Sequence, residues 1–233
     1  MPAQPRRGRP PLTSREAILD AVLEIGLDRA TTSAIAERLG VDQSTLYRHI
    51  AGREDMLDAA VGVAAARAVW PEPGDDWAQY LRDCAHAMWD MFAATPGLAQ
   101  RVRGMTSMPD AFVFQAYRIV EYLTVRLGFT FREAALIVDT IGDMTADSYL
   151  TIELLDREVD GDRTFRDLAI TTMEDAGGAV PDQRMAEEYL AVMRDAMGQQ
   201  GEPSSWWTDK VELVIDGVRL RLERRDRLDR REP

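Results

Sequence analysis

Apolar residues recur along most of the chain at spacings of three and four, which is the period of an amphipathic α-helix. In the C-terminal part, for example, Val211, Ile215, Val218 and Leu222 follow the spacing i, i+4, i+7 and i+11. Breaks rich in proline and glycine separate these stretches, and no stretch convincingly combines alternating apolar residues with a hairpin turn signal. The pattern predicts an all-α protein with about nine or ten helices.

The N-terminal part contains local signals for helix ends. Thr13 and Glu16 have the spacing of a capping box, in which a hydroxyl and a carboxylate satisfy two free amides. Gly26 is expected to end this first helix, and Thr31 to cap a second one that ends near Gly40. Later helices are expected at residues 53–69, 77–94, 96–103, 109–128, 131–157, 181–198 and 205–231.

A third short helix is predicted at residues 43–50, after a Leu-Gly-Val-Asp turn in which Asp42 can act as the cap. Its polar side chains are expected to face outward: Gln43, Ser44, Thr45, Tyr47 and His49. Two short helices in this arrangement are typical of a helix-turn-helix, whose second helix reads base edges in the major groove of DNA. The alternative is an ordinary helical hairpin with a solvated polar face.

The distribution of charge supports the first interpretation. The net charge of −12, taken alone, argues against binding to nucleic acid. Residues 1–15, however, carry Arg6, Arg7, Arg9 and Arg15 and no acidic residue. A basic end on an acidic body can dock on DNA, because phosphate contacts are local and salt screens the distant charges.

The segment 31–49 reads Thr-Thr-x-x-Ile-Ala-x-x-Leu-Gly-Val-x-x-x-Thr-Leu-Tyr-x-His and resembles the DNA-binding signature of the tetracycline-repressor (TetR) family. It is especially similar to the tetracycline-repressor branch, and a looser resemblance continues to the last helix. The resemblance implies a homodimeric transcriptional repressor that a small-molecule effector releases from a palindromic operator in double-stranded DNA. The alternatives are a regulator of this architecture that is constitutive or controlled by a protein partner, and a helical scaffold that does not bind DNA.

The resemblance implies a set of DNA-binding residues. The arm at 7–10 is similar to a minor-groove hook, although a flexible charged tail is the alternative. The chain also looks about three residues shorter than is usual for the family between Ile18 and Thr31, so we expect a truncated first helix or loop. The implied DNA-binding residues are Arg6, Arg7, Arg9, Thr32, Ser33, Gln43, Ser44, Thr45, Tyr47, Arg48, His49 and Arg53.

The domains expected are a flexible basic arm at 1–12, a helix-turn-helix DNA-binding domain at 13–58, and a ligand-binding and dimerisation domain at 59–233. Members of the family dimerise through their last long helices, and two recognition helices about 34 Å apart read a palindrome. The alternative for the apolar faces of these helices is an intramolecular core. The predicted dimerisation residues are Ile141, Thr145, Ser148, Ile152, Val211, Ile215, Val218 and Leu222.

The helix at 77–94 is rich in methionine and aromatic residues, which suits an adaptable ligand cavity and equally suits a core. Asp139, Asp143 and Asp147 form a carboxylate stripe, for which a solvated face is favoured over a pocket for a cationic ligand. A tetracycline–magnesium effector is not supported, because the single histidine of this domain does not fall at the family's metal-binding positions. The candidate ligand-binding residues are His86, Trp89, Asp90, Arg103, Met105, Phe114 and Tyr117.

The sequence lacks the motifs of an enzyme. It has no nucleophile elbow, and Lys210 as the only lysine excludes a phosphate-binding loop that ends in Gly-Lys-Ser/Thr. We therefore predict no catalysis, no cofactor and no metal site. The single cysteine Cys84, the short apolar runs and the N-terminal segment predict a cytoplasmic protein with no membrane partner.

Overall fold

The computed structural model describes residues 13–197 and 203–229, so the predicted basic arm lies outside the described residues. The all-α prediction is confirmed, since almost all of the regular structure described is helical. The helices are α1 (Arg15–Ile25), α2 (Thr32–Leu39), α3 (Gln43–Leu46), α4 (Arg53–Arg67), α5 (Trp77–Ala93), α6 (Leu98–Gly104), α7 (Asp110–Val125), α8 (Phe131–Leu155), α9 (Phe165–Gly177), α10 (Gln183–Ala196) and α11 (Ser205–Asp229).

Three elements between α8 and α10 were missing from the sequence prediction. Strands β1 (Glu158–Asp160) and β2 (Arg163–Thr164) pair antiparallel around Gly161, whose φ of +60° suits glycine. Helix α9 then begins at a capping box formed by Thr164 and Asp167. Neither the β1 strand nor α9 contains a fully buried residue, which explains why the hydrophobic pattern did not reveal them.

The start of α1 differs by one residue from the predicted capping box. Ser14, not Thr13, is the N-cap, and its hydroxyl oxygen accepts a hydrogen bond from the Ala17 amide at 3.1 Å. Glu16 therefore occupies the second helical position rather than the third, and the reciprocal bond of a capping box is not formed. Gly26 ends the helix as predicted, with a φ of +93°.

Helix α4 joins the two parts of the molecule. One side of it packs on α1, and other parts contact α6 and α7. Its buried residues extend from Met56 to Ala65, so the helix runs without a break through residue 58, where the expected domain boundary lies. A movement of α4 would therefore shift its contacts in both parts of the chain.

The C-terminal part is built around α5, α8 and α11. The rings of Trp89 and Trp207 lie 4.6 Å apart between these helices, and Tyr149 packs edge-on against Trp89 at 5.2 Å. None of the helices in the described ranges is long and apolar enough to cross a membrane.

The apolar faces of α8 and α11 were predicted to form a dimer interface, but the structure places them in the intramolecular core. Trp207 Nε1 donates a hydrogen bond to Thr145 Oγ1 at 3.2 Å, and Lys210 Nζ donates to Ser148 Oγ at 3.1 Å. The spacing had identified buried positions correctly, but helices of the same chain bury them. The residues buried in this way are Ile141, Thr145, Ser148, Ile152, Val211, Ile215 and Val218, while Leu222 is half-buried.

Candidate nucleic-acid interface and ligand cavity

Helix α2 and the turn after it have the predicted geometry. The Thr31 hydroxyl accepts a hydrogen bond from the Ala34 amide at 3.1 Å. Gly40 ends the helix in the left-handed conformation with a φ of +65°, and the Val41 amide then donates to Ala36 O at 3.0 Å. This turn directs the chain into α3.

The third helix is shorter than the predicted range of 43–50. Regular α-helix covers only Gln43–Leu46, and residues 47–49 continue as a tight turn in which the His49 amide donates to Leu46 O at 2.8 Å. Among the described residues, the Asp42 side chain makes no capping bond to α3. Leu46 and Ile50 are buried beneath the segment and fix its orientation.

The opposite side of this segment, residues 43–49, is open to solvent. Tyr47 is 53% exposed, Gln43, Ser44 and Arg48 are exposed, and Thr45 and His49 are half-buried. Hereafter we call these six side chains the polar face of α3.

The start of α2 lies beside the polar face of α3. Gln43 Nε2 donates a hydrogen bond to Thr32 Oγ1 at 2.5 Å, and Ser33 is exposed next to it. The predicted contacts on α2 and on α3 therefore belong to one continuous polar surface.

The Arg53 side chain contacts two other groups of the protein. Its Nε donates to the Ala30 carbonyl at 2.9 Å, and its Nη1 lies 3.5 Å from Glu54 Oε1. The side chain remains exposed at the start of α4, where it can also meet a phosphate.

A contact missed by sequence reasoning supports the polar face from behind. Arg15 Nη1 donates to the carbonyl of His49 at 2.7 Å, and the same guanidinium forms a two-point pair with Asp55 at 3.1 and 3.2 Å. Asp55 also accepts from the Ala51 amide at 2.8 Å. The hydrogen bond from Arg15, and after it the one from the Ala51 amide, hold the pKa of Asp55 below its usual range. No local pattern connects two residues forty positions apart in the chain.

The turn between α5 and α6 touches the N-terminal part of the chain directly. The Leu27 amide donates to Pro96 O at 2.8 Å. Gly97 lies so close that an added Cβ would be 2.6 Å from the Asp28 amide nitrogen, and its own amide donates to Glu153 Oε1 at 2.9 Å. The short connection between α1 and α2 is thus packed against this turn.

An ion pair network on α6 makes the second link between the two parts. Arg101 Nη1 lies 2.6 Å from Glu54 Oε2, and its Nε lies 2.7 Å from Asp58 Oδ1. Both carboxylates are on α4. The N–H groups of Arg101 also hold the pKa of Glu54 below its usual value.

A cavity of about 580 Å³ lies among α5, α6, α7 and α8. Its size falls within the roughly 300–1,000 Å³ that is typical of small-molecule sites. Three of the predicted ligand-binding residues line it, namely Arg103, Met105 and Tyr117.

The other four predicted ligand-binding residues do not line the cavity. Trp89 is fully buried in the aromatic core, and His86 packs edge-on against Trp207 at 4.9 Å. Asp90 is exposed, and Phe114 is 66% exposed on the outside of α7. The Met-rich pattern of α5 suited a cavity and a core equally, and the structure shows both, since Met88 lines the cavity and Met91 is buried in the core.

The carboxylate stripe on α8 lies closer to the cavity than expected. Asp139 and Asp143 are exposed at its edge rather than only on a solvated face. Arg103 reaches the same place, with Nη1 2.7 Å from Asp143 Oδ1 and Nε 2.9 Å from Asp147 Oδ1. Among the described residues, no group of three or more His, Cys, Asp or Glu is placed to hold a metal ion.

Two polar side chains inside the cavity wall had given no signal in the sequence. Cys84 is buried, and burial raises the pKa of its thiol to about 12. Gln115 is only 4% exposed, and its Nε2 has no hydrogen-bond partner among the described residues.

Comparison with known proteins agrees with this geometry. Residues 14–60, which contain α1 to α3 and the start of α4, match the family of bacterial regulatory proteins called the tetR family. The class A tetracycline repressor from transposon 1721 of Escherichia coli is 27% identical over 91% of this chain and 91% of its own length.

Two further relatives define how far the similarity extends. The class D tetracycline repressor of Escherichia coli is 38% identical over 31% of this chain, and the chain spans only 36% of that relative. The crystal structure of the TetR family protein ActR of Streptomyces coelicolor in complex with actinorhodin matches with a TM-score of 0.69. That match has 17% identity and covers 88% of this chain and 95% of ActR, so it shows a shared fold. The helix-turn-helix match, the repressor similarity and the shared fold agree, so residues 14–60 of this chain are similar to the DNA-binding part of the tetR family of bacterial regulatory proteins.

Proposed function

We propose that this protein is a DNA-binding transcriptional regulator whose α3 segment enters the major groove. The observation that supports this most strongly is the polar face of α3, which is open to solvent while Leu46 and Ile50 anchor the segment from behind. A rigid support matters, because base recognition requires side chains held in register with the groove.

Within this interface, different side chains have different tasks. We assign base contacts to Gln43, Thr45, Tyr47 and His49, because amide, hydroxyl and imidazole groups match the donors and acceptors of base edges. The remaining polar residues fix the position of the protein on the phosphates and the minor groove. These positioning residues are Thr32, Ser33, Ser44, Arg48 and Arg53, with Arg6, Arg7 and Arg9 of the arm.

We propose that the functional unit is a homodimer that uses the outer face of α11. Trp206, Leu213 and Leu220 recur every seven residues on α11, and all three are exposed. They lie opposite the buried stripe that packs on α8, so they form an unpartnered apolar face on a long helix. On α8, Leu136 and Leu154 are exposed as well. A two-fold dimer through these helices presents two α3 segments to a palindromic operator.

We propose that a small molecule in the cavity releases the dimer from DNA. The cavity supports this alternative over a constitutive regulator or one controlled by a protein partner. The route from the cavity to the DNA interface runs through Arg103 and α6, then through Arg101 to α4. To weaken operator binding a hundredfold, the effector must prefer the non-binding state by about 2.7 kcal/mol.

A band-shift experiment on the DNA upstream of the protein's own gene tests the proposed function. We expect a sequence-specific shift at low salt that weakens steeply as salt increases, because phosphate contacts release counterions. Random DNA of equal length serves as the competitor. If a protein confirmed to be dimeric gives no shift at low salt, or the same shift with random DNA, the proposed function is wrong.

A further inference from the structure

The cavity wall is mostly apolar, and its chemistry restricts what it can bind. Trp70, Met88, Phe112, Ile119 and Ile141 contribute large apolar surfaces. Cys84 adds to this character, because a thiol with a pKa of about 12 is neutral at physiological pH. Methionine and aromatic side chains of this kind adapt to flat, polarisable molecules.

Gln115 lines this apolar wall, and its amide nitrogen is buried without a hydrogen-bond partner among the described residues. Of the described residues lining the cavity, it is the one with a buried side-chain nitrogen or oxygen atom that lacks a hydrogen-bond partner. Leaving an amide N–H unpaired in an apolar site is unfavourable, and a ligand that accepts a hydrogen bond removes this cost.

The charged residues at the cavity edge restrict the charge of the ligand. The single cation there, among the described residues, is Arg103, and Asp143 and Asp147 already pair with it. Asp139 adds a further negative charge at the same edge. A carboxylate or phosphate on the ligand would be repelled here and would find no free cation in the described wall.

From these three observations we propose that the cavity binds a non-anionic, flat, largely apolar molecule with a carbonyl oxygen, and that the Gln115 amide turns toward the cavity to donate a hydrogen bond to this oxygen. This inference rests on the proposed function in one respect, since it names the chemical class of the effector. Gln115 sets the specificity of the site, because it distinguishes a ligand with a carbonyl oxygen from one without it.

A matched pair of probes tests the proposal on the full-length protein without DNA. Fluorenone and fluorene have the same tricyclic shape, and only fluorenone has a carbonyl oxygen. Their dissociation constants are measured by displacement of the fluorescent dye Nile red. We expect the wild type to bind fluorenone about tenfold more tightly than fluorene, which is the effect of one buried hydrogen bond. The anionic fluorenone-4-carboxylate should bind at least about tenfold more weakly than fluorenone.

The variant Gln115→Leu keeps the size of the side chain and removes its donor. We expect its preference for fluorenone over fluorene to fall to about one, with fluorene binding retained. Gln79→Leu makes the same chemical change on the exposed outer side of α5 and should keep the wild-type preference. If Gln115→Leu does not fold, the proposal is tested by the wild type alone, through the ratio of its dissociation constants for fluorene and fluorenone.

The location of the probes is checked with Gly142→Leu. Gly142 lines the cavity, and no described atom outside its own helix turn lies within 4 Å of an added Cβ. The leucine side chain should therefore occupy the cavity and weaken the binding of both tricyclic probes by at least about tenfold. Nile red binding that survives unchanged would place the dye elsewhere and overturn the proposal.

The proposal is also wrong if the wild type binds neither probe, if it binds both equally, or if Gln115→Leu keeps the wild-type preference. Its failure can be distinguished from failure of the proposed function, because the probe measurements need no DNA. If fluorenone binds as expected but leaves the band shift unchanged, the proposed ligand class is supported. The same result contradicts release of the protein from DNA by fluorenone.

Discussion

At the scale of single residues, Asp55 connects three segments that together hold the DNA-facing surface. It pairs with Arg15 at the start of α1 and accepts the Ala51 amide just after the α3 turn. Arg15 in turn holds the His49 carbonyl. The Arg15–Asp55 pair is partly exposed, so solvent screens the attraction between the two charges. The pair therefore orients the DNA-facing segment as much as it stabilises the fold.

We expect Asp55→Asn to lower the free energy of unfolding by about 1 kcal/mol at pH 7. The sign follows from the pKa of Asp55, which is lower in the folded protein than its usual value. The charged carboxylate stabilises the fold above the usual value of about 3.9, and this contribution is lost as the pH falls through the lower folded value.

Urea unfolding at pH 7 and near pH 3 measures this difference. The gap between wild type and Asp55→Asn should be present at pH 7 and should shrink at the lower pH. Glu188→Gln breaks an exposed pair with Arg184 on α10 and serves as the control, with little expected effect at either pH. A gap that stays constant with pH would show that the carboxylate charge of Asp55 is not the cause.

Tyr47 provides the residue-scale test of the DNA interface. Because Tyr47 is half-exposed and packs little in the free protein, Tyr47→Ala should leave the melting temperature almost unchanged. It should weaken specific DNA binding by at least about tenfold in a band shift. Tyr117→Ala is the matched control, since Tyr117 is similarly exposed but lies at the cavity, and its DNA binding should be unchanged without effector.

At the scale of elements, the α5–α6 turn is one of the places where the two parts of the chain are in direct contact. Gly97 has a φ of +78°, and an added Cβ would meet the backbone of Asp28. Gly40 also has a positive φ, of +65°, but no described atom lies within 4 Å of an added Cβ there. Substitutions at these two glycines therefore separate the loss of stability caused by backbone strain from the loss caused by a steric clash.

We expect Gly40→Ala to lower stability by about 1 kcal/mol, from the left-handed conformation alone. Gly97→Ala should cost at least about 1 kcal/mol more, because the α1–α2 connection must move away from the turn. Denaturant unfolding of the two variants measures both values. Equal losses would mean that the contact between Gly97 and Asp28 is not close in solution.

Some elements could be predicted from the sequence because their signals are local. The Thr31 cap and the Gly40 end of α2 depend on neighbouring residues only, and both predictions are confirmed. The cap of α1 was misplaced by one residue because Thr13 and Ser14 both offer a hydroxyl. Helix α9 was missed because its side chains are at most half-buried in this chain, so the hydrophobic pattern is weak.

Tertiary features could be predicted less well, for a physical reason. Periodicity shows which face of a helix is buried but not what buries it, so Ile141 and Ile215 were assigned to a dimer interface. In the same way, the composition of α5 suited both a cavity and a core and did not show which residues face which. Gln115 and the pair of Arg15 with Asp55 depend on distant contacts and left no pattern in the sequence.

At the scale of the whole molecule, the proposed homodimer sets the spacing of the two DNA-binding surfaces. Leu213 is 72% exposed in the middle of the outer stripe on α11. We expect Leu213→Asp to convert the dimer to a monomer in sedimentation equilibrium, because a carboxylate would be buried without a partner. Val69→Asp changes another highly exposed apolar residue outside this stripe and should remain dimeric. A dimer that persists in Leu213→Asp would place the interface elsewhere.

The central claim is that the polar face of α3 reads bases in two symmetric half-sites. It is tested most directly by selecting bound sequences from random DNA with the wild type, with Gln43→Ala and with Arg48→Ala. We predict a palindrome for the wild type whose half-site centres are about one helical turn, or a multiple of it, apart. Gln43→Ala should lose preference at one symmetric pair of positions, whereas Arg48→Ala should weaken binding to all sequences alike. A wild-type dimer that selects no palindrome, or a Gln43→Ala variant with the unchanged consensus, would contradict the account.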